Sequence, residues 1–262
     1  MKFLIWFVLT LSLATTSALA GAKVRMETLK EGVTQQVGWV YIEGEDWLRI
    51  DTNVDVDTNQ PENSMLFKAD TNQIYMVDHD LKEYICLDQE TMRKIADQMN
   101  EAMKQMEEQL KNMPEAQRKI MKDMWEKNKP QSPGEGLAVD VRHMGTDGDY
   151  QKYELWVGDD KMSEVWAAPP EKVGIPANSL VVFRKMSAFY EDLMKSLASN
   201  PYFSSMGANP FPGFAQMNGF PVRTRDVEAG TETHMSEAAT LDLLPEFFDP
   251  PEDYRPKKVG VE

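Results

Sequence analysis

The sequence predicts an α+β fold, a curved antiparallel sheet forming an open half-barrel, with a long Met-rich helix and a second helix covering its concave face. Three observations predict it. Short runs rich in Val, Ile, Trp and Tyr alternate with turn residues at about eight- to twelve-residue spacing, the pattern of a β-meander. One long stretch instead carries apolar residues at three- and four-residue steps, the period of an amphipathic helix. After a linker rich in Pro and Gly, the strand pattern returns.

Lys2, the apolar run 3–13 and the small-x-small triplet Ala18-Leu19-Ala20 read in order as a secretory signal peptide over 1–20. The run is shorter than the roughly twenty residues needed to span a bilayer. Cleavage after Ala20 would leave Gly21 and Ala22, where a lipoprotein needs Cys; Cys86 is the single cysteine. A periplasmic or secreted location is therefore expected. One β-rich domain is expected over 21–256, with a helical insertion at about 89–128 and a polar tail over 257–262.

Strands are expected at 33–42 and 46–54 around the turn Gly44-Glu45-Asp46, then at 65–69 and 74–77 around Asp70-Thr71-Asn72. Another, at 83–87, follows Asp78-His79-Asp80 and makes Cys86 a small buried apolar residue. Over 89–128 the residues Met92, Ile95, Met99, Met103 and Met106 share a helical face, and Pro114 should split or kink the helix. Pro130, Pro133, Gly134 and Gly136 mark the linker. Strands at 137–144, 150–157 and 162–168 form a second meander. The later part of 177–200 reads as helix, with Phe189, Tyr190, Leu193, Met194 and Leu197 on one face. The segment 201–220 mixes Gly, Pro and aromatics, and a final hairpin, 220–227 with 231–241, turns at Ala229-Gly230.

With 28 basic and 43 acidic residues, the chain carries a net charge of −15, and signal cleavage removes one further lysine. Such a field repels nucleic acid and anionic membrane surfaces, so neither is expected as an electrostatic partner. With one cysteine there is no internal disulfide, and the fold must rest on its core. The motifs of serine hydrolases, zinc peptidases and phosphate-binding loops are missing, which points to a non-enzymatic protein.

Three constellations carry chemical alternatives. Met99, Met103 and Met106 could offer thioethers to Cu(I), but His79, His143 and His234 stand alone in sequence. The stripe therefore reads as a core face or an adaptable groove, and no metal or cofactor is expected. From Asp51 to Glu62, oxygen-bearing side chains fall at calcium-loop positions, yet Val56 stands where the loop needs Gly. An acidic strand-to-strand loop is the competing reading. Phe203, Phe211 and Phe214 belong either to a flap that covers an apolar cavity or dips into a membrane surface, or to rings that close one end of the core.

The Met-rich stretch QMNEAMKQMEEQLKNMPEAQRKIMKDM, followed by YQKYELWVGDDKMSEVWAAP, GFPVRTRDVEAG and LPEFFDPPEDYRP, resembles the bacterial domain-of-unknown-function family 4412 over roughly 22–256. That family is similar in layout to the periplasmic carriers of outer-membrane lipoproteins, LolA and LolB. The resemblance implies a half-barrel whose helices cover an apolar cavity, and it supplies no catalytic residues. The expected function is a periplasmic carrier or sensor of a lipophilic ligand, with Met99, Met103, Met106, Phe203, Phe211 and Phe214 as lining or lid. The alternative is a structural or interaction protein of the cell envelope that docks a protein partner.

Overall fold

A computed structural model describes residues 21–115, 117, 139–197, 213 and 216–257. Twelve strands form one sheet. The first meander is β2 (Val33–Glu43), β3 (Trp47–Val54), β4 (Pro61–Lys68), β5 (Gln73–Asp78) and β6 (Glu83–Leu87). The second is β7 (Val139–Asp147), β8 (Tyr150–Val157), β9 (Asp160–Ala168) and β10 (Phe220–Asp226). Between them lie β1 (Gly21–Lys30) and β11 (Thr231–Leu241), giving the order β12-β6-β5-β4-β3-β2-β1-β11-β10-β9-β8-β7, with the two-residue β12 (Arg255–Pro256) on the edge. All pairings are antiparallel except β12 with β6, and the large curved sheet does not close.

The sequence leaves open how the two meanders join, and the answer is the β1·β11 pair. Reading strands only from residue 33 misses β1, and the reason is physical. Ala22, Val24 and Met26 alternate with Lys23, Arg25 and Glu27, so half the strand looks polar. The two cations lie over the Trp39 ring of the next strand, Lys23 Nζ 3.6 Å and Arg25 5.9 Å from its centroid, and on β10 Arg223 likewise lies 3.6 Å from the Trp166 centroid. Stacked cations of this kind close an uncovered sheet face with their stems and with cation–π attraction.

Helix α1 (Gln89–Lys111) begins at Asp88, whose carboxylate accepts from the Thr91 N–H at 2.7 Å, and ends before Pro114. Its predicted continuation to 128 falls largely outside the described residues. Helix α2 (Leu180–Leu197) is the second predicted helix, entered through a short 3-10 turn at Ala177–Ser179. Val182, Phe183 and Met186 are buried against the sheet, and Lys185 Nζ reaches Asp46 Oδ1 at 2.7 Å, which pins α2 beside the β2–β3 turn.

The opposite face of β2–β6 is covered by a strap from Leu243 to Pro256. Phe247 and Phe248 fill a second apolar cluster with Val37, Trp39, Tyr41, Trp47 and Val54. Ion pairs Lys68–Asp249 at 2.7 Å, Lys82–Asp253 at 2.8 Å and Arg255–Glu83 at 2.9 Å lie along it. Cys86 differs from its expectation. It is half-buried, its Sγ lies 4.0 Å from Asp88 Oδ2, and burial, with the Asp88 charge, raises its thiol pKa.

Candidate functional site

On the helix-covered face the pairing register sets side chains into lateral rows. The first row runs Ala22, Ile42, Leu48, Phe67, Ile74, Leu87 across β1 to β6. Its first five members are buried, and α2 lies over them; Phe67 and Phe189 rings stand 6.0 Å apart. The second row runs Val24, Val40, Ile50, Met65, Met76, Ile85 across the same strands. Only Val24 is fully buried; Val40, Ile50, Met65 and Ile85 are half-buried, and Met76 is 44 % exposed. An apolar row without polar interruption over six strands is thus only partly covered.

Beyond it the face changes chemistry. Met26 pairs with Gly38, and Thr52 with Asn63. A Cβ on Gly38 would stand 2.9 Å from the Asp51 carbonyl oxygen, so the floor has a gap there that larger residues cannot fill without a shift. One row further, the Thr28 and Thr233 hydroxyls bond at 2.8 Å. In the second meander the same face carries Tyr153, Leu155, Val165 and Ala167, closed by Met217, and the Asn218 N–H donates to the Tyr153 hydroxyl at 3.1 Å. The described end of the aromatic loop therefore returns to this face, where Met217 and Phe220 are buried.

Of the residues expected to line the site, Phe203, Phe211 and Phe214 lie outside the described residues. Met99, Met103 and Met106 belong to α1 by their backbone, and their side chains lie outside the description. The second-row residues were absent from that expectation. Their signal is the period-two alternation of each strand, but which alternate set faces the helices, and what stands beside it, depends on register.

A cleft of about 800 Å³ opens between the β4–β5 turn, the start of α1 and α2, lined in part by Asn72, Glu90, Lys185, Phe189 and Asp192. Its charges are already engaged: Glu90 pairs with Lys94 at 2.7 Å, and Lys185 with Asp46. The Asp51–Glu62 loop does not gather its oxygens. Asp55 Oδ1 accepts from the Thr58 N–H at 2.7 Å, the Thr58 hydroxyl and the Asp57 N–H, which lowers its pKa. Asn53 donates to Glu62, and Asn59 accepts from the Trp39 indole. Among the described residues no three His, Cys, Asp or Glu groups converge as a metal site.

A buried polar network lies under the strap. Ser64 Oγ donates to Asp51 Oδ1 at 2.5 Å, so it must accept from His79 Nε2–H at 2.7 Å, leaving Nδ1 to accept the Tyr254 hydroxyl at 2.9 Å. Arg49 donates to Asp51 at 2.7 Å and to the Phe247 carbonyl at 3.2 Å. Serine, histidine and aspartate are the residue types of a hydrolytic triad, but here the serine proton points at the carboxylate. Ser64 is also only 2 % exposed. The arrangement ties the strap to the sheet.

Burial, then the Arg49 charge, lowers the His79 pKa, while Asp51, Asp78 and Asp80 oppose this. The unfolded chain thus takes up this proton before the folded one. The contribution of His79 to stability is complete above the unfolded pKa of about 6.5 and falls as pH drops toward the folded value. Melting temperature should decline between pH 7 and pH 5.5 more steeply in the parent than in His79→Gln; equal slopes would contradict this assignment.

No family model matches the chain, and neither does any curated protein. Among solved structures it is similar to PNGF-II in its C2 crystal form, at 8 % identity and TM-score 0.44, over 91 % of this chain and 31 % of that one. The chain thus spans about a third of PNGF-II. It is also similar to a LolA superfamily protein, NE2245 from Nitrosomonas europaea, at 8 % identity and TM-score 0.29, over 89 % of this chain and 90 % of that one. Likenesses this distant carry no argument about activity. Among the described residues no helix is long and apolar enough to cross a membrane.

Proposed function

We propose that the chain is a non-enzymatic extracytoplasmic protein that holds a lipophilic molecule against the helix-covered face of its sheet. The observation that supports it most is the second row, Val24 to Ile85, an apolar strip that crosses six strands without a polar member and stays only partly covered. Six adjacent strands about 4.8 Å apart make the strip roughly 25 Å long, enough to lie along an extended hydrocarbon. Two of its outer members, Met65 and Met76, are unbranched and flexible enough to adapt to a range of shapes. In this reading Met99, Met103, Met106, Phe203, Phe211 and Phe214 supply the rest of the lining, and the signal-like leader directs the chain to the periplasm or outside the cell.

The test compares organic extracts of the mature protein with those of the double variant Ile50→Gln, Met65→Gln. Both side chains are half-buried, so the variant should melt within a few degrees of the parent. Removing two apolar contacts of about 1.5 kcal/mol each predicts at least tenfold weaker binding of an apolar fluorescent probe such as N-phenylnaphthylamine. An apolar compound should co-purify with the parent and be depleted in the variant. Extracts without such a compound, together with equal probe affinity, would remove the basis for this reading.

A further inference from the structure

One edge of the sheet bears five hairpin turns side by side: β5–β6, β3–β4, β1–β2, β10–β11 and β8–β9, in the spatial order of the strands. At or beside each turn a large apolar side chain projects into solvent. They are Leu81 (58 % exposed), Val56 (72 %), Val33 (61 %), Val227 (45 %) and Met162 (40 %). Of the three hairpins at the opposite edge, only β7–β8 carries one, Tyr150. Scattered exposed aliphatics need no explanation, but one on every turn of a single edge forms a row. Hairpins two strands apart stand about 10 Å from one another, so the row extends for roughly 40 Å.

Acidic residues accompany every tip: Asp80 precedes Leu81, Asp55 and Asp57 flank Val56, and Asp226 and Glu228 flank Val227. Glu31 and Asp160 stand two residues before Val33 and Met162. Nearby cations are fewer: Lys30 stands at the β1–β2 turn, and Lys82 is paired with Asp253, Lys161 with Glu154 and Glu164, and Arg225 with Glu164 and Glu232, so the edge presents a negative excess. Between the β1–β2 and β10–β11 turns opens a cleft of about 600 Å³, where Arg225 pairs with Glu232 and Glu164 and Lys161 with Glu164, while Glu31 and Asp226 stand on its walls outside these pairs.

We infer that this edge docks a protein whose contact surface is basic and carries apolar side chains. The aliphatic tips would meet its apolar groups, and the acidic residues beside them would meet its Lys or Arg side chains. Charge decides among the possible occupants. A bilayer would have to take up Asp55 and Asp57 together with Val56, and its anionic headgroups would repel the edge. A second copy would bring like charges together. A strip of this length and about one hairpin's width offers roughly 500 Å² per partner, the size of transient encounters. Docking at the edge does not depend on a ligand on the sheet face, so each can fail without the other.

The experiment places a photo-crosslinking residue at position 56 or 81 of the full chain in its native envelope, with position 71 on the opposite edge as control. Adducts are identified by mass spectrometry, and the captured protein is purified for binding assays. Positions 56 and 81 should capture one and the same protein, basic at its contact surface, and position 71 should not. Its binding should weaken at least tenfold in the Val33→Ser, Val56→Ser, Leu81→Ser variant, whose melting temperature should stay unchanged because all three tips are exposed. Binding should also weaken near 1 M salt, where charges are screened beyond about 3 Å. Adducts to lipid or to a second copy, equal capture from position 71, no adduct, or unaltered binding by the serine variant would each overturn the proposal.

Discussion

Arg49→Met is expected to cost about 3–5 kcal/mol, the range for removing one partner of a buried ion pair. Arg49 and Asp51 side chains are 14 % and 5 % exposed and meet at 2.7 Å, so solvent does little to replace the lost partner. Without the guanidinium, Asp51 keeps only the Ser64 hydroxyl among the hydrogen bonds described above, and it is left as a buried charge. The Phe247 carbonyl loses its donor, and the Phe247 ring loses a cation 4.4 Å from its centroid. Chemical denaturation measures the loss. Because Arg49 bridges sheet and strap, limited proteolysis should also cut near 249–253 sooner in the variant. Asp51→Asn in the same background tests the cause. Removing the stranded charge should recover part of the stability, and a double variant no more stable than Arg49→Met would rule out the stranded charge as the main cost.

That network shows where sequence reading stops. Asp51, Ser64, His79 and Tyr254 are separated by 13, 15 and 175 residues along the chain, and only β3·β4 register and the path of the strap bring them together. In the sequence Asp51 looks like the first ligand of a calcium loop. Most strands and the two helices among the described residues are legible, because period-two and 3.6-residue patterns are local properties. The strand β1 is not, since its charged alternate residues derive their burial from Trp39 on the neighbouring strand. The second row has the same character. Val40, Ile50 and Met65 each sit in recognisable strands, but the continuous six-strand strip exists only once five registers are fixed.

Phe67→Ala is expected to cost about 3–5 kcal/mol, and it separates the two rows by function. Phe67 has no exposed surface, packs between β3 and β5 under α2, and faces the Phe189 ring. Truncating it leaves a cavity that α2 can fill only by shifting its Lys185–Asp46 anchor. The first row therefore sets stability. Binding of an apolar probe, expressed per folded molecule, should change less than threefold, because the second row keeps Ile50, Met65 and Met76. The Ile50→Gln, Met65→Gln variant should show the reverse, near-parent stability with weak binding. Two adjacent rows on one face, two residues apart along each strand, would then have divided labour by how far α2 reaches. If Phe67→Ala weakened probe binding as much as the double variant did, the covered and uncovered rows would form a single cavity, and the ligand would lie beneath α2 rather than beside it.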